Sequence, residues 1–582
     1  MHITDCKNTG TVTGKNGSTG GIAGRWAANV NSTSALLENS GAVTGGDNVG
    51  GIFGLIEFSS DYTMNGGYKN SGAVSGSNNV GGLFGKAEAA SYRFTVAGDS
   101  TNSGEISGYD SVGGIAGYLK FRYISLSGAV NTGDVTAENS YAGGVVGNAG
   151  ATDYSSVIAN SSSSAAISAG FIIGGIAGQA ENIVLDGCDN AGSSVTATSY
   201  RLESDVPYVY LGGYAGSAGG VINSVNTVDI SYDNRGGRVG GIAGYSYNIN
   251  NFSGSENRAA VYAPRSSYVG GVAGGISVSG NFTLGNFKNS GAVTGADYVG
   301  GVIGCIYGSV SAGYVNIYCT LTLNSFENSG TVTGTNYVGG IAGQLYLDAT
   351  SRYTAEFKLV ANSFNNSGDI SGESYVGGLF GYARTDDSES RMSDSSSTCS
   401  VSGQYYIGGL AGKIETIGLV DCSNEGSVIT ATGYVLDGEV RYVYVGGYAG
   451  YGYSFDGCHN AADIIYESNG GRVGGIAGYA NGALTNCTNT GTINAPASDE
   501  VGGIVGRTGY GGDATLSSLE NSGAVTGANN VGGVIGYIYG NVSGGYVDIY
   551  RTLTLSSFEN SGAVSGTNYV GGIAGQLYLD AT

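Results

Sequence analysis

The side chains of this sequence that could do chemistry lack the partners that catalysis needs. The chain of 582 residues has two histidines, His2 and His459, and neither lies in the His-Glu-x-x-His pattern of a zinc peptidase. No Ser-His-Asp or Cys-His pair is indicated either. Charged residues make up 12% of the chain and are scattered, so no carboxylate cluster typical of polysaccharide hydrolysis stands out. We therefore expect a chain that is not an enzyme and binds no cofactor.

The cysteines favour buried thiols over metal ligands. Five of the eight recur at one position of a repeat: Cys6, Cys188, Cys422, Cys458 and Cys487. Other repeats place a large apolar residue there, such as Phe326 or Leu519, and free cysteine behaves as a small hydrophobic residue in a core. Cys422, Cys458 and Cys487 fall in consecutive repeats, so a disulfide among these three stays open.

A glycine-rich segment, VGGIAG, raises the alternative of a phosphate-binding loop. Such a loop occurs once, between a strand and a helix. Here the double glycine recurs eighteen times, at steps of 28–32 residues with five longer steps of 38 or 39. We therefore interpret the segment as part of a repeating scaffold.

The elements that carry this repeat are predicted to be short β-strands. Glycine accounts for 110 residues and proline for 3, and the apolar residues are mainly Val, Ile, Leu and Tyr, which suits strands joined by tight turns. A repeat of this size cannot bury its apolar face alone, but stacked repeats can. The sequence thus predicts an all-β fold, a β-solenoid (β-helix) of about 18 coils of roughly 30 residues, some extended to 38–39.

Charge and pattern exclude several classes of partner. The formal net charge of −22 disfavours nucleic-acid binding, because phosphates would be repelled. No apolar run is long enough to span a membrane. Repeats that bind calcium carry Asp after the last glycine, and GGDNVGG at 45–51 is a single near-match, so we predict no metal site.

Asparagine recurs at one position of the repeat and is predicted to form a structural ladder. An asparagine amide can bond both to the local backbone and to the equivalent amide one coil away. A row of ligand-binding amides is the alternative. The predicted ladder comprises Asn8, Asn39, Asn70, Asn102, Asn131, Asn289, Asn328, Asn366, Asn489, Asn521 and Asn560.

The sequence also repeats over a longer distance than one coil. RYVYVGGYAG at 441–450 matches PYVYLGGYAG at 207–216, an offset of 234 residues. We interpret residues 1–582 as one continuous solenoid in which a block of seven coils, about 143–376, is duplicated at 377–582. Both ends fall inside the repeat, so we expect the chain to be a fragment of a longer protein. The extra residues of the long coils, at 196–210 and 430–444, are predicted to protrude.

Tyrosines on the long coils are the candidate ligand-facing residues: Tyr208, Tyr210, Tyr442 and Tyr444. Outward rows of tyrosine could contact sugars or a protein partner. The alternative is that they cover the strands and stack between coils.

The repeat resembles a known one. The motif V-G-G-[LI]-x-G, following x-V-T-G and N-S-G, is clearest in SNNVGGLFG (77–85) and ESYVGGLFG (373–381). It is similar to the GLUG-motif repeat of large bacterial surface proteins, which include filamentous-haemagglutinin-like adhesins and the repeat regions of IgA-cleaving peptidases. The resemblance covers essentially the whole chain. It implies an extracellular β-solenoid on the bacterial cell surface and no particular ligand.

These observations together predict a non-catalytic structural or adhesive segment, a rigid stalk that presents loops. Its partner would be a protein or glycan on a host or neighbouring cell, and this segment would not insert into the membrane. Two alternatives remain. One is a carbohydrate-binding or carbohydrate-processing β-helix, and the other is a self-assembling extracellular filament subunit whose open coil edges associate end to end.

Overall fold

The chain folds into β-strands throughout the part that the structure describes. This computed structural model describes residues 2–29, 32–199, 201–203, 206–247, 252–312, 316–351, 354–426, 428–433, 443–510, 514–542 and 552–581. Every regular element in these ranges is a strand, and none is a helix. The chain divides into two compact units, Met1–Ser277 with Phe287–Ala292, and Val278–Asn286 with Val293–Thr582.

One coil of the first unit shows how the repeat folds. Its strands are Thr33–Asn39, Val43–Thr44, Val49–Gly50 and Phe53–Phe58. Alternation along these short strands turns one set of apolar side chains inward, and each of the following is fully buried: Leu37, Val43, Val49, Ile52 and Ile56. The core is therefore a stack of aliphatic layers, one layer per coil.

Pairing between coils joins each motif residue to its own copy. Asn8 lies opposite Asn39, and Gly20 lies opposite Gly50, in parallel strands. The same register continues through the first unit, and independently through the second. In-register parallel stacking of this kind is a β-solenoid, as the repeat predicted.

The long coil of the first unit keeps this register by excluding extra residues. Gly174 and Gly212 are 38 positions apart, yet they lie opposite each other. The intervening residues include an antiparallel pair of strands, Arg201–Glu203 and Val206–Tyr208, which is a hairpin outside the parallel ladder. The corresponding residues of the later long coil, 434–442, lie outside the described part.

Two sheets of the second unit hold the residues discussed below. In the first, which we call the glycine sheet, each strand ends at the first glycine of the motif. In the second, which we call the alanine sheet, most strands begin at the alanine of the motif. The glycine-sheet strands are Asp297–Gly300, Asn336–Gly339, Ser374–Gly377, Ile407–Gly408, Tyr444–Gly446, Arg472–Gly474, Glu500–Gly502, Asn529–Gly532 and Asn568–Gly571. The alanine-sheet strands are Ile303–Ala312, Ala342–Ser351, Phe380–Arg384, Ala411–Glu415, Ala449–Gly452, Ala477–Ala480, Val505–Tyr510, Ile535–Val542 and Ala574–Ala581.

Candidate functional site

The row of asparagines forms a hydrogen-bonded ladder inside each unit. Nδ2 of Asn39 donates to the carbonyl oxygen of Gly41 at 2.8 Å and to Oδ1 of Asn70 at 2.7 Å. In the second unit, Asn489 makes the same two bonds, to Gly491 at 2.9 Å and to Asn521 at 2.8 Å. Each amide nitrogen thus donates one bond to its own coil and one to the next coil. Because both N–H donors are used within the stack, the row has a structural role.

All the asparagines named from the sequence lie in these rows. They are Asn8, Asn39, Asn70, Asn102, Asn131 and Asn289 in the first unit, and Asn328, Asn366, Asn489, Asn521 and Asn560 in the second. Ser163 and Ser397 occupy the same position in two other coils. A serine is shorter, and near Ser397 the amide of Asn366 donates instead to Sγ of Cys399 at 3.1 Å.

The second glycine of each pair packs directly against this ladder. A Cβ placed on Gly51 would overlap the carbonyl oxygen of Gly82 in the next coil and would lie 2.5 Å from Cγ of Asn70. Gly51 does not have a positive φ, so what it provides is space and not a special backbone conformation. The glycine-rich segment therefore allows close approach of neighbouring backbones, and it is not built as a phosphate loop.

Two of the four candidate tyrosines can be placed with their side chains. Tyr210 begins strand Tyr210–Gly212, and Tyr444 begins strand Tyr444–Gly446. The backbone of Tyr208 pairs with Arg201 in the protruding hairpin. Tyr442 lies outside the described residues.

In the first unit, Tyr210 contacts an arginine of the next coil. Nη1 of Arg238 donates to the hydroxyl oxygen of Tyr210 at 3.0 Å. The guanidinium carbon lies 4.1 Å from the ring centroid of Tyr245 and 5.3 Å from that of Tyr268. These distances place the cation against aromatic faces, an arrangement that is favourable when partly desolvated.

Three of these residues, Tyr210, Arg238 and Tyr245, form a trio that recurs 234 positions later in the second unit. There it consists of Tyr444, Arg472 and Tyr479. Nη1 of Arg472 donates to the hydroxyl oxygen of Tyr444 at 2.8 Å, and its guanidinium carbon lies 5.4 Å from the ring of Tyr479. Its Nε also bonds to Glu500 at 2.7 Å, and Arg507 bonds to the other oxygen of that carboxylate at 2.9 Å. One carboxylate is thus shared by two arginines.

A second cluster lies on earlier coils of the same unit. Nζ of Lys413 is 2.6 Å from one oxygen of Glu415, and Nε of Arg384 is 4.0 Å from the other. Lys413 also lies 5.1 Å from the ring centroid of Tyr451 and 5.8 Å from that of Tyr382. Again, two cations share one carboxylate among tyrosine rings.

The two clusters lie on consecutive coils and form one surface, which we call the tyrosine–cation face. Lys413 pairs in register with Tyr451, and Tyr451 with Tyr479. The face comprises Tyr375, Tyr382, Arg384, Tyr406, Lys413, Glu415, Tyr444, Tyr451, Arg472, Tyr479, Glu500 and Arg507.

Tyrosines on the glycine sheet stack on one another within this face. The ring centroids of Tyr375 and Tyr406 are 4.6 Å apart with an interplanar angle of 9°, and those of Tyr406 and Tyr444 are 4.8 Å apart at 22°. Because each ring covers the next, the column presents ring edges and hydroxyl groups more than ring faces. This stacking is what the structural alternative predicted.

Partial burial raises the pKa values of two phenols of this face. Burial raises the pKa of Tyr406 above its usual value, and it raises the pKa of Tyr451 to about 12. Burial also acts to raise the pKa of Glu415, but hydrogen bonds from Lys413 and Tyr382 outweigh it and hold that pKa below its usual value. At neutral pH the face therefore carries hydroxyl donors, cations and the ionised carboxylate of Glu415.

Sequence reasoning did not single out the cations of this face. The segment GGRVGGIAGY occurs at 236–245 and again at 470–479, and Arg238 and Arg472 occupy the same position in it. The 234-residue offset was therefore the signal that could have found these two arginines. Lys413 and Arg507 follow the last glycine of the motif, a position whose orientation the repeat alone does not fix.

The five recurring cysteines lie where core residues lie. Cys188, Cys422, Cys458 and Cys487 are buried, Cys6 is half-buried, and all are free thiols. Burial raises the pKa of Cys422 to about 12, so its thiol stays neutral. No group of His, Cys, Asp and Glu that could hold a metal ion occurs among the described residues.

Comparison with known proteins returned one family. The GLUG motif matches residues 469–494, which run from a turn of the glycine-rich repeat through Arg472 and Cys487. No curated protein and no solved structure matched the chain significantly. Among the described residues, no helix is long and apolar enough to cross a membrane. This match lies inside a repeat that recurs from coil to coil, which is consistent with a GLUG-motif repeat protein.

Proposed function

We propose that this chain is a non-catalytic adhesive segment of a bacterial cell-surface protein, a rigid scaffold that presents surface features to a neighbouring cell. The observation that carries the proposal is the register of the long coils. Gly174 and Gly212 remain paired while a hairpin leaves the ladder between them. The first unit can thus carry an insertion without a change in its core, which suits a scaffold for display.

The side chains support a binding role over a purely structural one. A stalk needs only a soluble surface, and scattered charges would provide it. The tyrosine–cation face instead has more cations than carboxylates. Its cations pair with the two carboxylates and lie beside partly buried tyrosine rings. Arginine and tyrosine are the residue types enriched where proteins bind partners.

Two measurements test the proposal. An antibody raised against the purified chain should label intact producing cells, and beads coated with the chain should adhere to host or neighbouring cells. Beads coated with the heat-denatured chain are the matched control, because they carry the same composition without the fold. Labelling only after cell lysis, or equal adhesion of native and denatured beads, would contradict the proposal.

A further inference from the structure

The tyrosine–cation face has a positive charge that the chain as a whole does not have. The 582 residues carry a formal net charge of −22, whereas the face holds four cations, Arg384, Lys413, Arg472 and Arg507, and two carboxylates, Glu415 and Glu500. A local excess of one sign concentrates ions of the other sign at that surface. This face is therefore suited to an anion that the rest of the chain would repel.

The excess is divided between the two clusters. Lys413 and Arg384 share Glu415, and Arg472 and Arg507 share Glu500, so each cluster keeps one positive charge after internal pairing. Lys413 lies two coils before Arg472 and three before Arg507. Arg384 lies one coil before Lys413, so the cations of the two clusters are two to four coils apart, which is roughly 10–19 Å at about 4.8 Å per coil.

Tyrosine hydroxyl groups lie on the coils that carry these charges and on the coil between them. Tyr375 and Tyr406 present hydroxyl groups and ring edges, because their ring faces are covered, whereas Tyr444 is 8% exposed and its hydroxyl oxygen accepts a bond from Arg472. A ligand along the face would accordingly meet tyrosine hydroxyl groups on several coils and one excess positive charge in each of the two clusters.

We propose that the tyrosine–cation face binds a linear glycan with one carboxylate on every second sugar, lying along the stacked coils. A sugar ring in an extended chain advances by about the length of one coil step, so carboxylates on alternate sugars would fall at the two-coil spacing of Lys413 and Arg472. The hydroxyl groups of the intervening sugars would accept hydrogen bonds from the tyrosines. The proposal rests on the proposed function, since it names the class of surface component that the adhesive segment would bind.

Single-stranded nucleic acid fits this face less well. Proteins bind its bases by stacking them on aromatic rings. Here the rings of Tyr375, Tyr406 and Tyr444 already stack on each other at 4.6–4.8 Å, which leaves no gap for a base. Two excess charges over five coils are also too few for a backbone with one phosphate per nucleotide.

The test is calorimetric titration of the full 582-residue chain with a hyaluronan octasaccharide at low salt. Its fully methyl-esterified form is the neutral control, because it keeps the rings and loses the charges. We expect the acid to bind and the ester to bind at least about tenfold more weakly, since a charge-assisted contact is worth about one to two powers of ten in affinity. Equal binding of acid and ester, or no binding of the acid, would overturn the proposal.

Variants locate the binding on the face. Lys413→Gln should weaken binding about tenfold, and Lys413→Arg should retain it, because the latter keeps the charge. Lys358→Gln is the matched control, since Lys358 pairs with Glu389 at 2.7 Å on a different sheet of the same unit. Unchanged binding by Lys413→Gln, or an equal loss with Lys358→Gln, would refute the assignment. Far-UV circular dichroism verifies that each variant is folded.

Two further arms separate this proposal from its alternatives. An oligothymidylate that binds more tightly than the octasaccharide, and loses affinity in Lys413→Gln, would overturn the glycan in favour of nucleic acid. Coated beads that adhere to cells without inhibition by the octasaccharide would refute the ligand class and leave the adhesive function standing. Binding of the octasaccharide without adhesion of the beads would support the site and refute the function.

Discussion

Replacing Gly51 by alanine should destabilise the first unit, because the new methyl group has no space. Its Cβ would lie 2.5 Å from Cγ of Asn70, about 1 Å inside ordinary contact, and would overlap the backbone of Gly82. A backbone cannot rotate away as a flexible side chain can, so the neighbouring coils must separate locally. Overpacking of this kind costs about 1–3 kcal/mol.

The ladder adds to this cost. Asn70 accepts a bond from Asn39 at 2.7 Å and donates to Asn102 at 2.7 Å, and a displacement of its amide weakens both. Each buried bond contributes about 1 kcal/mol. We therefore expect Gly51→Ala to lower the free energy of unfolding by about 3–5 kcal/mol in total.

Trp26, the only tryptophan of the chain, reports on these coils. It is 3% exposed, and its ring lies 5.7 Å from that of Phe53, two residues after Gly51. Urea denaturation followed by its fluorescence should give a lower midpoint for Gly51→Ala. Gly46→Ala is the control in the same coil, because a Cβ there would meet only the carbonyl oxygen of Lys15 at 3.7 Å. A wild-type midpoint for Gly51→Ala, or an equal drop for Gly46→Ala, would refute the role assigned to the double glycine.

Three further predictions concern the ladder and the buried groups. Asn489→Ala should lower the free energy of unfolding by about 3 kcal/mol, and Asn489→Ser by less, since Ser397 fills that slot elsewhere; equal melting temperatures of the two variants would contradict this. Of the eight cysteines, only Cys6 is more than slightly exposed, so a thiol reagent should modify one thiol rapidly in the native chain and the others on unfolding; several fast thiols would argue against the packing. Burial raises the pKa of Cys422 and of Tyr451 to about 12, whereas the unfolded chain ionises such groups near pH 8.5–10. Stability should therefore be full below about pH 8.5 and decline up to about pH 12, and a chain equally stable to urea at pH 8 and pH 11 would refute this.

The fold was predictable because the repeat leaves few choices. Asn39 and Asn70 are 31 positions apart, and a buried amide in every coil is satisfied only if it meets its own copy in the next one. That requirement fixes a parallel, in-register stack. The spacing of the double glycine gave the coil length for the same reason, because Gly51 must lie against Asn70.

The face was not predictable to the same degree, because its side chains depend on local backbone geometry. Tyr375 and Tyr406 have left-handed backbone conformations, with φ of 55° and 33°, at a position before the motif valine or isoleucine. Bulky side chains are uncommon there, so sequence pattern gives no reason to expect an ordered aromatic column. Tyr444 was identified from its place on a long coil, whereas Lys413 belongs to an ordinary segment of the motif and becomes notable only beside Tyr451.

The duplicated trio shows how one coil geometry can serve two electrostatic surfaces. Arg238 of the first unit lies against the rings of Tyr245 and Tyr268, so its charge is held by aromatic faces. In the second unit, Glu500 takes the position that corresponds to Tyr268, and it bonds to Arg472 and Arg507 together. A carboxylate that bridges two arginines removes one charge and holds two cations at the surface. The proposed selectivity for an anion therefore follows from substitutions around the trio and not from the segment GGRVGGIAGY, which is the same at 236–245 and at 470–479.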